Sequence, residues 1–482
     1  MPATLRVRVE ARMLRHAAPA SVSGLRNTVA GLKHVGQLTK QYKYKNDRAN
    51  VPPQMCPHVE ARAGIGLGKI QSQVEFMSQV NPKNREQTDR KYLDAVDEIL
   101  PVLERNKFKA EELRQMPAES IEALRNAGVF RAVQARQWGG LEVHPVEWFE
   151  GLVRIAAACP SSGWVAAILA GHAWYTCLYP QRAQEDIWSK NPDARVASSF
   201  APTGKVTREG DGFRLRGRWK YLSGVDHSEW AILGGMIPDD DGTGPEARNF
   251  LVPMTDYKID QSSWHVEGLQ GTGSKDIDVD AFVPDYRTQT VEQVYKGIEP
   301  GKSVNKSPIF QIPWFTMWSF GLASPATGVA LGALQAYVDD NRSRTSALLG
   351  TNVAGNWYVH TRLVEAATAI NDVKARIPVT WNHIYDIVKS GAPLSTELRI
   401  KTRFEGSYTV KPCLEAAIKL LEVSGGGALA KDKVVQLHVR SLIAMKLHPF
   451  SIWENLAAPY SLVLFGLPCE PPCSKATFAC VL

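Results

Sequence analysis

The sequence predicts an α+β chain in three parts: a helical domain over residues 89–194, a central antiparallel β domain over 195–312, and a C-terminal helical bundle over 313–465. Three observations carry this. Apolar residues recur at helical spacing from Tyr92 onward, with Val96, Ile99, Leu100 and Leu103 following on one face. Residues 213–221 alternate strictly, Phe213, Leu215, Gly217 and Trp219 against Arg214, Arg216, Arg218 and Lys220, as a strand with one buried face does. After Pro313 long helical runs return, broken chiefly at Ser424–Gly425–Gly426–Gly427. Helices, then strands, then helices is the order of an α+β fold.

Taken in order, residues 1–88 are basic and acid-poor, with ten Arg and Lys through Arg48 against Glu10 and Asp47. Their apolar periodicity is poor and Gly, Pro and Gln accumulate, so they read as a disordered basic extension rather than a transit peptide. The first helix covers 91–106, and a second starts after Pro117 and ends near Gly128. Residues 145–158 and 161–178 read as two more helices, the second very apolar. A strand from Val196 to Phe200 turns at Pro202–Gly204. A second, Lys205–Arg208, pairs with the third across Asp211–Gly212, where glycine tolerates the turn. Further strands are expected at Trp230–Ile237, Asn249–Pro253 and Ile277–Val283. Helices near 318–346, 357–388, 394–423, 431–448 and 450–464 complete the fold, and residues 466–482 diverge into Pro and Cys.

Composition narrows the function. With 482 residues, 44% hydrophobic and 22% charged, the chain is an ordinary globular protein with room for a large core. No apolar run reaches the roughly 20 residues of a membrane span. The net charge of +7 is scattered outside the N-terminus, which argues against a nucleic-acid partner. Seven cysteines without a CxxC pair fit a reducing cytoplasm and no metal site. No strand–GxGxxG–helix unit is present, so the chain carries no nicotinamide-type dinucleotide fingerprint.

Several residues stand out chemically. Ser198, Ser199 and Ser223 lie near strand ends, where hydroxyls can donate to a planar heterocycle; isolated turn serines are the commoner explanation. The loop Gly268–Ser274, GLQGTGS, suits backbone contacts to a flat or phosphorylated ligand, or is simply a tight turn. His172 lies in an apolar helix, as buried core histidines also do, and His448 looks like a helix C-terminal histidine. Asp226 and His227 are read as residues satisfying turn amides rather than as a catalytic pair.

The stretches QWGGLE (137–142), SSGWVAA (161–167), GHAW (171–174), QRAQEDIW (181–188), SSFAP (198–202), LSGVDH (222–227) and GLQGTGS (268–274) together resemble the oxygenase components of two-component flavin-dependent monooxygenases. Those hydroxylating 4-hydroxyphenylacetate and secosteroids are the nearest in kind. The resemblance covers about residues 90–460 and implies the acyl-CoA dehydrogenase fold. It implies an enzyme that uses reduced flavin (FADH2 or FMNH2) and O2, through a C4a-hydroperoxyflavin, to hydroxylate a phenolic or indolic aromatic substrate. It also implies a separate NAD(P)H-dependent flavin reductase and a homotetramer.

By the same resemblance the flavin contacts fall on Trp164, Ser198, Ser199, Phe200, Tyr221, Leu222, Ser223, Arg344, Gly426, Gly427, His448 and Pro449. Ser223 matches the serine beside flavin N5, His448 the histidine beside the peroxide, and His172 with Ser198 the pair that receives the substrate oxygen. The chain departs from the family at Arg440–Ser441–Leu442–Ile443, where Arg-Asp-x-His is usual, and at Pro449, shared with indole-oxidising members. Two other classes stay open: an acyl-CoA dehydrogenase, disfavoured because no Asp or Glu lies between Asp432 and Glu454, and a non-catalytic flavin-binding relative.

Overall fold

The computed structural model describes residues 87–238, 245–347 and 350–469. The basic extension expected over 1–88 lies outside the described residues except for its last two positions, as does most of the divergent tail. The first helix, α1 (Gln87–Leu113), is longer than its apolar stripe suggested, followed by α2 (Ala118–Asn126), α3 (Pro145–Ala158), α4 (Pro160–Thr176) and α5 (Gln181–Trp188). Both α3 and α4 begin on proline, whose fixed φ and missing N–H suit a first helical position. Every residue of α4 is buried, so it has no polar face and forms the central rod of the helical core.

The strands are β1 (Val196–Glu209), β2 (Gly212–Leu222), β3 (Trp230–Ile237), β4 (Glu246–Pro253), β5 (Tyr257–Asp260), β6 (Lys275–Pro284) and β7 (Thr288–Thr290). They form one sheet of seven strands among the described residues, in the order β5-β6-β2-β1-β3-β4-β7. The sheet is mixed, not antiparallel throughout: β1 pairs in parallel with β3, Val196 opposite Trp230 and Ser198 opposite Ile232. Consecutive strands are usually neighbours, and β2 and β3 are not; β1 lies between them. The link from Ser223 to Glu229 therefore crosses the head of β1, where Glu229 and Trp230 both donate backbone N–H to the Arg195 carbonyl at 3.0 and 3.1 Å. That crossing puts the end of β2 beside the start of β1.

The expected turn at Pro202–Gly204 is instead an irregularity within one long strand. The β1–β3 register shifts between Ser199 and Gly204, so Pro202 sits where the ladder is interrupted. The predicted alternation in β2 buries Phe213, Leu215 and Trp219, whereas Gly217 is exposed. Beyond Trp219 the β2–β6 register slips by one residue before Leu222, and Tyr221 takes a left-handed φ of 65° there. The bulge returns Leu222 to the interior and exposes Tyr221.

The two faces of the sheet belong to different cores. Ala197, Leu215, Trp219, Leu222, Leu233 and Phe250 pack in one cluster. Val196, Ile232 and Leu251, on the opposite face, join the core built by α3, α4 and the C-terminal helices. After the short α6 (Val291–Lys296) come α7 (Trp314–Asn341), α8 (Trp357–Lys389), α9 (Thr396–Glu422), α10 (Val434–Lys446) and α11 (Glu454–Leu464). No helix among the described residues is long and apolar enough to cross a membrane.

Candidate active site

The site is assembled on α4, on the head of β1, and on the segment following α10. On α4, Trp164 and His172 are eight residues apart and both buried. Gly171 precedes the histidine for a packing reason: a Cβ there would lie 2.5 Å from the Trp318 ring of α7. Without it Trp318 could not stack on the His172 imidazole, with ring centroids 4.9 Å apart and an interplanar angle of 13°.

His172 is hydrogen-bonded on both nitrogens. Its Nδ1–H donates to the Val196 carbonyl at 2.8 Å, which leaves Nε2 as the acceptor of the Ser198 hydroxyl, also at 2.8 Å. Burial pushes the imidazole pKa down to about 4, so it is neutral at pH 7. The Ser198 proton is thus directed at His172, and its oxygen lone pairs are left to receive a proton from something else.

Ser198 and Phe200 share the helical face of β1 with Val196, by the strand's period of two. Ser199 points the other way with Ala197, so it can offer a ligand on the helical side only its backbone. Phe200 meets the His172 ring edge-on at 6.0 Å and the Trp314 ring at 5.3 Å. Trp314 in turn stacks on Trp318 at 5.7 Å and meets Phe450 at 5.7 Å. This aromatic box of Phe200, Trp314, Trp318 and Phe450 was not foreseen. The sequence signal was the spacing of Trp314 and Trp318, four residues apart on one face of α7.

At the other end of α4, Trp164 joins two predicted residues. Its indole N–H donates to the Ser223 hydroxyl at 3.1 Å, and its ring meets His448 edge-on at 5.3 Å. Ser223 continues into a chain of hydroxyls, reaching Ser274 at 2.7 Å and, through it, Thr272 at 2.7 Å. The GLQGTGS loop thus contributes hydroxyls as well as backbone. His448 follows the end of α10 and caps a short turn: its Nδ1 accepts the Phe450 N–H at 3.2 Å, which makes Nε2 the protonated nitrogen. That Nε2–H has no hydrogen-bond partner among the described residues, and burial pushes the ring's pKa down to about 4. Pro449 holds His448 in an extended conformation by its bulk.

The remaining predicted residues sit differently. Leu222 is fully buried in the sheet's own core, and Tyr221 is 68% exposed beside Trp264. Arg344 donates to the Ser424 carbonyl and lies against Gly425, while Gly426 and Gly427 open an exposed turn. No contact among the described residues joins that cluster to His172, Ser223 or His448. Contrary to the expectation that it serves turn amides, Asp226 forms an ion pair with the buried Lys275 at 2.7 Å. Residues 440–442 are buried in structural contacts, Arg440 paired with Glu111 and the Ser441 hydroxyl donating to the Leu437 carbonyl, while Ile443 is exposed. Among the described residues no cluster of His, Cys, Asp and Glu could hold a metal ion.

Residues 320–452 match the family model for the C-terminal domain of acyl-CoA dehydrogenases. The chain is 33% identical to the flavin-dependent monooxygenase oxygenase subunit HsaA of Rhodococcus jostii over 378 residues, 78% of this chain and 98% of that protein. It is 29% identical to the oxygenase component of p-hydroxyphenylacetate 3-hydroxylase of Acinetobacter baumannii, covering 79% of this chain and 90% of that one. The crystal structure of 3-HSA hydroxylase from Rhodococcus sp. RHA1 superposes with a TM-score of 0.74 at 32% identity, over 79% of this chain and 98% of that one. With one-third identity across nearly the full length of such a relative, and the same fold, the chain belongs to the oxygenase components of two-component flavin-dependent monooxygenases.

Proposed function

We propose that the protein hydroxylates an aromatic, phenolic or indolic, substrate with O2 and reduced flavin supplied by a separate NAD(P)H-dependent flavin reductase. The observation that carries this reading is Trp164, which touches both Ser223 and His448 while His172 and Ser198 stand on the same helix and sheet head, across an aromatic box. The donor set fits a flavin ring: a serine oxygen just past the end of the interior strand β2, a histidine Nε2–H without a partner among the described residues, and an indole between them. The bound flavin would supply activated oxygen; the chain's residues orient it and exclude water.

On this reading Ser223 and His448 hold the flavin's reacting edge. Ser198, its own proton held by His172, would accept the substrate's O–H or N–H and orient the substrate ring. The aromatic box supplies a dry, flat compartment for that ring. A homotetramer and a cytoplasmic location belong to the same proposal, as do flavin contacts from Arg344, Gly426, Gly427 and the Ser199, Tyr221 and Leu222 backbone.

The experiment separates the two ends of the site. Protein with NADH and oxidised flavin should form no product until a flavin reductase is added, and turnover without one would refute the two-component reading. With reduced flavin and O2 in stopped-flow, His448→Ala should hasten loss of H2O2 in the absence of substrate. His172→Ala should leave that phase intact and slow product formation by about 10²–10⁴-fold. Equal effects of both substitutions on the substrate-free phase would overturn the division of roles.

A further inference from the structure

The hydroxyl chain behind Ser223 has a direction. Thr272 Oγ1 lies 2.8 Å from the Leu269 carbonyl, which can only accept, so the Thr272 proton is committed there. A hydroxyl has one proton, so the 2.7 Å contact between Thr272 and Ser274 must carry the Ser274 proton. The 2.7 Å contact between Ser274 and Ser223 must then carry the Ser223 proton. Ser223 Oγ accepts the Trp164 N–H and keeps one lone pair. All three hydroxyl residues are at least nine-tenths buried, with Thr272 1%, Ser274 5% and Ser223 8% exposed, so water offers little alternative.

We propose that Ser274 and Thr272 are positioning residues that make Ser223 an obligate acceptor, and so make the site select reduced over oxidised flavin. This rests on the placement of Ser223 beside flavin N5 proposed above. Reduced flavin carries a proton on N5 and donates to Ser223. Oxidised flavin presents a lone pair there, and two acceptors face each other. A free serine hydroxyl would turn and serve either form. The chain of buried hydroxyls removes that freedom.

The loops bearing the two serines are held together independently of these hydroxyls. The Gly224 N–H donates to the Thr272 carbonyl at 2.9 Å, and Lys275 pairs with Asp226 at 2.7 Å. Removing one hydroxyl therefore changes the direction of the chain without releasing the loops.

The test is equilibrium binding of FMN, FAD and their anaerobically reduced forms to the full chain, with no turnover required. Ser274→Ala frees the Ser223 proton and should strengthen oxidised-flavin binding, narrowing the reduced-to-oxidised preference by about tenfold, one hydrogen bond's worth. The near-isosteric Thr272→Val should move the preference the same way, and Thr272→Ser should leave it unchanged. Ser223→Ala should narrow it from the other side, by weakening reduced flavin. An unchanged preference in Ser274→Ala, with Ser223→Ala behaving as stated, would overturn the directed chain alone. No change in Ser223→Ala would overturn the placement of Ser223 and the inference with it. Should Ser274→Ala fail to fold, identical preferences in Thr272→Val and Thr272→Ser would overturn the proposal.

Discussion

Replacing Lys275 by Met tests how the two loops of the site are held. Lys275 is 3% exposed, and its Nζ lies 2.7 Å from Asp226 Oδ2 and 3.2 Å from Gln115 Oε1. Asp226 retains one other side-chain donor, Gln261 Nε2 at 3.0 Å. Met fills the volume of the Lys stem but leaves a buried carboxylate without a counter-charge, which costs about 3–5 kcal/mol. Asp226→Asn alone strands the ammonium and is destabilising in turn. The double substitution leaves neither charge, only the lost hydrogen bonds of Gln115 and Gln261, at about 1 kcal/mol each. Urea unfolding followed by tryptophan fluorescence should therefore show Lys275→Met less stable than the double variant by about 1–3 kcal/mol. A loss below about 1 kcal/mol in Lys275→Met, or losses that simply add, would refute the claim that this pair is desolvated and clamps the loops.

Three further outcomes are expected. Gly268→Ala should lower the thermal midpoint severely, with a loss above about 3 kcal/mol; its φ is +82° and an added Cβ would lie 2.1 Å from the Arg440 carbonyl oxygen. Stability should be complete above about pH 6.5 and fall as pH drops toward 4, because burial lowers His172, His438 and His448 to about 4 when folded. The unfolded chain then binds more protons, each such histidine contributing a slope of up to about 1.4 kcal/mol per pH unit, and His438→Leu should flatten the pH profile of the melting temperature. A chain beginning at Asn84 should stay soluble and bind reduced flavin; failure of both would show that the basic extension is needed for the fold.

Much of this architecture can be read along the chain. The alternation in β2, the proline-led helices α3 and α4, and the long bundle helices are local patterns that the tertiary structure reinforces. The errors arise where local chemistry is overruled from a distance. Pro202–Thr203–Gly204 has the composition of a turn, yet β1 runs through it, because Gly204 lets Trp219 of β2 lie across the strand; a Cβ there would be 2.0 Å from the indole. The parallel β1–β3 pair is invisible locally, since it depends on a later strand inserting itself beside an earlier one. Of the candidate site, His172, Ser198, Ser223 and His448 are proposed from short motifs and a resemblance. Ser274 and Thr272 hide in a glycine-rich loop whose glycines draw the eye to backbone instead. Asp226 was assigned to its own turn because its true partner lies 49 residues on.

The contact between Trp164 and His448 also fixes when the protein can become functional. Trp164 belongs to α4 and His448 follows α10, so the second is translated well after the first. Domains generally fold as they leave the ribosome, N-terminal first. The helical rod and one face of the sheet share a core with the C-terminal helices, and Trp318 stacks on His172, so the compartment is unfinished while the wall carrying His448 and Phe450 is still being translated. In that interval the compartment is open to water on one side. Any flavin bound then would react with oxygen unprotected, so protected oxygen transfer requires the segment carrying His448 and Phe450 to be in place.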